Sequence, residues 1–184
     1  MVPAGLSPEV LLSRDVLQTR IAELGRQIST DYAGRKPLLI GILKGAAMFM
    51  MDLIRAIDLP LSIDFMAVSS YGAATESSGI VRILKDLDSA LAGRDVILVE
   101  DIIDSGLTIA YVLDMLRRRE PASLKVCALL VKEKAAAEGL RSDYVGFTIP
   151  NKFVVGYGLD LDEQYRNLPY LGVLSGSEQA APGG

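Results

Sequence analysis

The stretch VILVEDIIDSGLT, Val96 to Thr108, decides how the rest of the chain is read. Four apolar, β-branched-rich residues run into Glu100 and Asp101. Two more apolar residues lead to Asp104, and Ser-Gly-Leu-Thr follows. The pattern predicts a buried strand over Asp95 to Ile103 and a helix from Gly106 to Arg119. The turn from Asp104 to Thr108 would present successive backbone N–H groups at a helix N-terminus, beside two hydroxyls and a glycine. Such a turn suits a phosphate. Three carboxylates sit within the same few residues. Carboxylates repel phosphate unless a hard cation or sugar hydroxyls lie between them. The spacing therefore points to a phosphorylated, polyhydroxylated ligand with a divalent metal. An N-capped helix with incidental acids is the plainer reading, with Asp104 as the cap. The patterns GxxxxGK[ST] and GxGxxG are absent.

Outward from this segment, strand and helix patterns alternate. Leu17, Ile21, Leu24 and Ile28 share one helical face between Arg14 and Tyr32. Leu38 to Leu43 (LLIGIL) reads as a buried strand and Gly45 to Ile57 as a Met- and Ala-rich helix. Leu61 to Ser69 and Ile80 to Leu84 read as strands joined by the small, polar loop Ser69 to Gly79, a long hairpin with an exposed, mobile tip. Leu124 to Val131 is another buried strand, and short β segments follow near Val145 to Ile149 and Phe153 to Tyr157. Strands apolar on both faces and separated by helices imply an α/β fold with a mostly parallel sheet, covered on both sides. Ligands then belong beyond the carboxyl ends of the strands. Met1 to Pro8 and Ser175 to Gly184 read as loose ends.

Composition narrows the chemistry. The chain has 184 residues and no histidine. That excludes a Ser-His-Asp triad, a Cys-His dyad and an imidazole metal site. A single cysteine, Cys127, excludes intrachain disulfides and CxxC zinc sites and suits a reducing cytoplasm. Acid-base work falls to Asp, Glu, Lys, Tyr or backbone groups. Net charge −4 and a pI near 4.9 argue against non-specific nucleic-acid binding. Mean hydropathy is +0.31. Yet no run of about 18 apolar residues is present, so neither a membrane span nor a signal peptide is expected.

The Val96–Thr108 segment resembles the phosphoribosyl-diphosphate (PRPP) motif of the type I phosphoribosyltransferases: a hydrophobic strand, two acids, two apolar residues, Asp, a hydroxyl residue, Gly, any residue and Thr. Four further stretches resemble the hypoxanthine-guanine branch. They are LKGA at Leu43–Ala46, SSYG at Ser69–Gly72, LVK at Leu130–Lys132, and KFVVGYGLDLDEQYRNLPYLG at Lys152–Gly172. The resemblance spans about Val10 to Leu174. It implies one domain over residues 1–174, with a small hood from about 1–14 and 150–174, and a disordered tail over 175–184.

The resemblance also implies roles. Asp104, Ser105, Gly106, Leu107 and Thr108 would cradle the 5-phosphate of PRPP. Glu100 and Asp101 would face the ribose hydroxyls and a Mg²⁺. Asp104 would take the proton that the purine loses as its ring nitrogen attacks the anomeric carbon. Lys44 and Gly45, after a cis Leu43–Lys44 peptide bond, would address pyrophosphate together with Arg166, whose planar fork suits phosphate oxygens. Lys132, a donor-only group, would contact the oxygen at position 6 and so favour 6-oxopurines over adenine. Phe153 would stack on the base, with Val154 backbone groups at its edge and Asp160 helping to hold that edge and a second Mg²⁺. Ser70 and Tyr71 would belong to a lid that keeps water from the reacting sugar.

The implied activity is Mg²⁺-dependent conversion of PRPP and hypoxanthine or guanine to IMP or GMP plus pyrophosphate, in the cytoplasm, by a homodimer or homotetramer. A xanthine-preferring relative and a PRPP- or nucleotide-sensing regulator are the alternatives on the same fold. One stretch departs from the pattern. Many bacterial members carry Lys-Pro-x-Arg-Arg after the LVK strand, where this chain has KEKAAAEGLRSD, with Lys132 still in register.

Overall fold

The computed structural model describes residues 8–70, 81–137 and 142–174. Tyr71, most of the expected lid and the tail over 175–184 lie outside the described residues. The elements run β1 (Glu9–Leu12), α1 (Arg14–Asp31), β2 (Leu38–Leu43), α2 (Ala47–Ala56), β3 (Ser62–Ser70), β4 (Val81–Lys85), β5 (Asp95–Ile103), α3 (Leu107–Arg117), β6 (Ser123–Lys132), α4 (Glu133–Ala137), β7 (Tyr144–Ile149), β8 (Val154–Val155) and β9 (Leu171–Val173).

Six strands form the main sheet in the order β4-β3-β2-β5-β6-β7. Every pairing is parallel except β3 with β4, which is the expected hairpin. The alternation of side chains in the buried strands divides the core in two. Leu39, Ile97, Val99, Cys127 and Leu129 pack on one face under α1 and α2. Leu38, Ile40, Val96, Leu98, Val126 and Ala128 pack on the other, under Ile109, Val112 and Leu116 of α3. Because both faces are covered, these strands read as continuous apolar runs rather than alternating ones. Helix α1 starts at Ser13, whose Oγ accepts from the Val16 N–H (3.4 Å). It buries the expected stripe of Leu17, Ile21, Leu24 and Ile28.

Strand order fixes where a ligand fits. From β2 the chain steps outward to β3 and β4, then returns to place β5 on the other side of β2. The carboxyl ends of β2 and β5 thus flank a topological switch point, where a crevice opens. A second, three-stranded antiparallel sheet, β1-β9-β8, joins the two ends of the described chain.

Three boundaries differ from the sequence reading by two residues or more. Helix α2 begins at Ala47 rather than Gly45, because Lys44 to Ala46 form a turn in which the Ala47 N–H donates to the Lys44 carbonyl. The expected strand Phe153–Tyr157 shrinks to Val154–Val155. Gly156, Tyr157 and Gly158 follow at φ of 96°, 50° and 102°, and a left-handed run cannot continue a strand. Helix α3 spans Leu107–Arg117, two residues short of the expected end.

Asp64 anchors the segment that leads back into the sheet. It is buried, with Oδ1 accepting from the Phe65 N–H (2.7 Å) and Oδ2 from the N–H groups of Asp88 (3.0 Å) and Ser89 (2.8 Å). Burial alone would raise its carboxyl, but the donors from Ser89, Phe65 and Asp88 outweigh it and hold the group below its ordinary value. Asp64→Ala should cost about 2–3 kcal/mol at neutral pH, from donors left without an acceptor. A depressed pKa contributes stability above the unfolded value that is lost as pH falls through the folded one. Urea melts of wild type and variant should therefore differ at pH 7 and converge below pH ~4.

Candidate active site

The motif that opened the sequence reading lies at the switch point. Helix α3 begins at Gly106, which sits at φ 75° and makes no side-chain capping bond. A positive φ at the entry to the helix requires glycine. Asp104 is therefore not the cap that the plainer reading assigned it. The first N–H groups of α3 have no side-chain acceptor there, an arrangement suited to an anion.

Asp104 points instead at Lys132. Its Oδ2 accepts from Lys132 Nζ at 2.6 Å, with side-chain exposures of 66% and 14%. Lys132 ends β6 beside the end of β5, so the parallel pairing of neighbouring strands brings the two groups together. Lys132 is thus no solvated surface lysine, whereas Lys134 is exposed.

Glu100 and Asp101 end the apolar part of β5, where both are largely enclosed. Burial, and then the neighbouring Asp101, push the Glu100 carboxyl well above its ordinary value. Burial also raises Asp101 to about 6, against the Ile102 N–H and Arg166, which favour the charged form. Two adjacent carboxylates, Glu100 buried and Asp101 partly so, with raised proton affinity suit a hard cation. Among the described residues no three acids converge as a metal cluster, so Glu100, Asp101 and Asp160 do not form a protein-only cage.

The end of β2 meets this floor. The Leu43–Lys44 peptide is cis. A Cβ on Gly45 would lie 1.7 Å from Asp101 Oδ2, and one on Gly158 would lie 2.3 Å from the Gly45 carbonyl oxygen. The Lys44–Gly45 turn is therefore wedged between β5 and the loop after β8. Arg166 ties that loop down: Nη1 donates to the Gly158 carbonyl (2.7 Å) and Nη2 pairs with Asp160 Oδ1 (2.8 Å). Asp160 Oδ2 accepts from the Glu163 N–H (2.9 Å). Both Asp160 oxygens thus organise the loop and its arginine.

Phe153 is 38% exposed, while Val154 and Val155 beside it are buried. Its ring is not core, which leaves a face available for stacking. Its carbonyl accepts from the Leu174 N–H (3.3 Å). Ser70 is the last residue of β3. Ser105 and Leu107 are exposed on the α3 turn, and Thr108 is half-buried.

Two features escaped the sequence reading. Glu163 pairs with both Lys44 and Arg166. Asp52 of α2 accepts from Tyr157 (2.5 Å), Gln18 (2.7 Å) and Arg55 (2.5 Å) and so pins the left-handed Tyr157 to the helices. A groove of about 910 Å³ opens on that side of Arg166, lined by Met48, Met51 and Leu168 among others. The Asp52 network and the Lys44–Glu163 pair join residues more than 100 positions apart, which no local periodicity reports. Glu163 three residues before Arg166 was the one local hint.

Comparison with known proteins agrees with this geometry. The family described as phosphoribosyl transferase domain matches residues 13–162. A hypoxanthine-guanine phosphoribosyltransferase of Mycobacterium avium is 55% identical over 182 residues, covering 94% of this chain and 90% of the relative. The bifunctional protein TilS/HprT of Listeria monocytogenes is 54% identical over 90% of this chain, which spans only 26% of that relative's length. A crystal structure of a hypoxanthine phosphoribosyltransferase from Staphylococcus aureus superimposes with TM-score 0.89 at 47% identity, covering 94% of each chain. The switch-point motif, the parallel sheet beneath it and these relatives converge: the chain belongs to the phosphoribosyl transferase family, in its hypoxanthine-guanine branch.

Proposed function

We propose that the chain transfers the 5-phosphoribosyl group of PRPP to hypoxanthine or guanine, giving IMP or GMP and pyrophosphate. The observation that carries this reading is the Asp104–Lys132 pair at the mouth of the uncapped α3 N-terminus. A 6-oxopurine lying between them replaces one direct ion pair with two contacts. Its O6 accepts from the Lys132 ammonium, and its N7–H donates to the Asp104 carboxylate. As N9 bonds to the anomeric carbon, the bond from that carbon to the diphosphate oxygen breaks and the N7 proton passes to Asp104. In the reverse reaction Asp104 returns it.

The other groups position the reactants. The turn Asp104–Thr108 takes the 5-phosphate, Phe153 stacks on the base with Val154 at its edge, and Lys44, Gly45 and Arg166 take the diphosphate. Glu100 and Asp101 suit ribose hydroxyls and a Mg²⁺, with Asp160 on the diphosphate side. A bound Mg²⁺ would supply neutralisation of diphosphate charge. The segment Ser69–Gly79, with Ser70 and Tyr71, would close over the sugar.

Among the described residues no helix is long and apolar enough to cross a membrane. The lone, buried Cys127 supports a cytoplasmic setting. The assembly we propose is a homodimer or homotetramer, the closed-symmetry default.

A base panel tests the reading. Protein, PRPP and MgCl₂ are mixed with hypoxanthine, guanine, xanthine or adenine, and nucleotide formation is followed. Turnover is expected with hypoxanthine and guanine, and adenine should be slower by ~10³-fold or more, because a donor-only lysine meets an amino group. Turnover with xanthine alone would reassign the base. No turnover with any 6-oxopurine would contradict the reading.

A further inference from the structure

The two cations read as diphosphate ligands already share an anion. Glu163 Oε1 pairs with Lys44 Nζ at 3.0 Å, and Glu163 Oε2 with Arg166 Nε at 3.4 Å. Each oxygen takes a different cation, so the carboxylate spans the gap between them. Conformational stability does not account for this arrangement. Lys44 and Glu163 are 67% and 63% exposed, and exposed pairs contribute little to folding. The backbone is also unusual here. Asp162, Glu163 and Tyr165 all lie at positive φ (50°, 62° and 71°), a conformation that side-chain-bearing residues rarely adopt and that clusters at functional sites. The Glu163 N–H is fixed by Asp160, so the loop holds its shape without the Glu163 carboxylate.

We infer that Glu163 is a built-in competitor for the diphosphate subsite, holding Lys44 and Arg166 when diphosphate is absent and yielding them when it binds. The inference rests on reading Lys44 and Arg166 as diphosphate ligands. A diphosphate carries several negative charges against one on the carboxylate, so it wins the exchange. The carboxylate is tethered, so it returns at high effective concentration as the product leaves. It therefore weakens diphosphate affinity and shortens its residence. Release steps limit turnover in many enzymes, so the effect bears on rate as well as affinity. The Lys44 ammonium and then the Arg166 guanidinium hold the Glu163 carboxyl below its ordinary value, which keeps the competitor charged.

The test is calorimetric titration of inorganic pyrophosphate, with and without MgCl₂, into the full chain and its variants. Glu163→Gln keeps side-chain volume and removes the charge. It should tighten pyrophosphate binding about two- to fivefold, the scale of an exposed ion pair, with the gain fading at high salt. Lys44→Ala should weaken binding, and Glu163→Gln should gain less in that background. Unchanged or weaker binding by Glu163→Gln, alongside weakened binding by Lys44→Ala, overturns the inference and leaves the diphosphate reading standing. Unchanged binding in both Lys44→Ala and Arg166→Gln overturns the diphosphate reading, and the inference with it.

Discussion

Asp104→Asn should lower turnover by ~10²-fold or more, with the KM for PRPP changed only a few-fold. The substitution keeps the shape of the side chain and removes its capacity to take a proton. Among the described residues on the β5 side of the crevice, no other side chain takes over this role. The chain has no histidine, Glu100 and Asp101 are enclosed at the end of the strand where they suit ribose hydroxyls and a cation, and Lys132 offers donors only. The groups proposed to face the 5-phosphate are the N–H groups of the α3 turn, whose position depends on Gly106 rather than on the Asp104 side chain. Ground-state binding of PRPP and transfer of the proton are therefore separable at this residue. Steady-state kinetics with varied PRPP checks the split. A variant with wild-type kcat would remove Asp104 from the proton-transfer role. A loss confined to KM would make it a binding residue.

Gly158→Ala should cost ~10²-fold in kcat/KM for PRPP, although Gly158 carries no chemistry of its own. Its added Cβ would lie 2.3 Å from the Gly45 carbonyl oxygen, backbone against backbone, at a φ of 102° that L side chains avoid. No side-chain rotation relieves that contact. The loop bearing Arg166 must move away from the Lys44–Gly45 turn, and the Arg166 donation to the Gly158 carbonyl moves with it. Gly34 provides the control. It also has positive φ (76°), but nothing lies within 4 Å of the position a Cβ would take. Gly34→Ala should lose about 1 kcal/mol of stability and leave the kinetics unchanged. Equal kinetics for the two variants would show that the Gly45–Gly158 contact does not position the diphosphate groups.

The parallel core was legible because its strands are buried on both faces. LLIGIL, VILV and KVCALLV need no partner information to be read as strands, and the 4-3-4 spacing of Leu17 to Ile28 needs none to be read as a helix. The three-stranded sheet was not legible from periodicity. Glu9–Leu12, Val154–Val155 and Leu171–Val173 are short, and two of them pair across almost the whole chain. Helix α4 is a single short turn of Glu133–Ala137, below the length at which a period registers. In the site, residues carried by one contiguous motif were found from it, including Asp104 and the glycine at the α3 entry. Lys132 was read from its own LVK stretch as a base contact, but its pairing with Asp104 and the role of Glu163 were not legible. Lys132 beside Asp104, and Glu163 across Lys44 and Arg166, are consequences of strand order and loop conformation. The single-strand reading of Phe153–Tyr157 failed for a related reason, since the left-handed turn at Tyr157 is held by Asp52 on a distant helix.

The central claim is that the carboxyl ends of β2, β5 and β6 form one phosphoribosyl-transfer crevice with the base between Asp104 and Lys132. The most direct measurement is a crystal structure of the chain with IMP, pyrophosphate and Mg²⁺. The 5-phosphate is expected on the N–H groups of Ser105 to Thr108 and the purine face on Phe153. O6 is expected within hydrogen-bond distance of Lys132 Nζ, and pyrophosphate between Lys44 and Arg166. A nucleotide phosphate bound away from the α3 N-terminus, or a purine whose O6 faces away from Lys132, would contradict it.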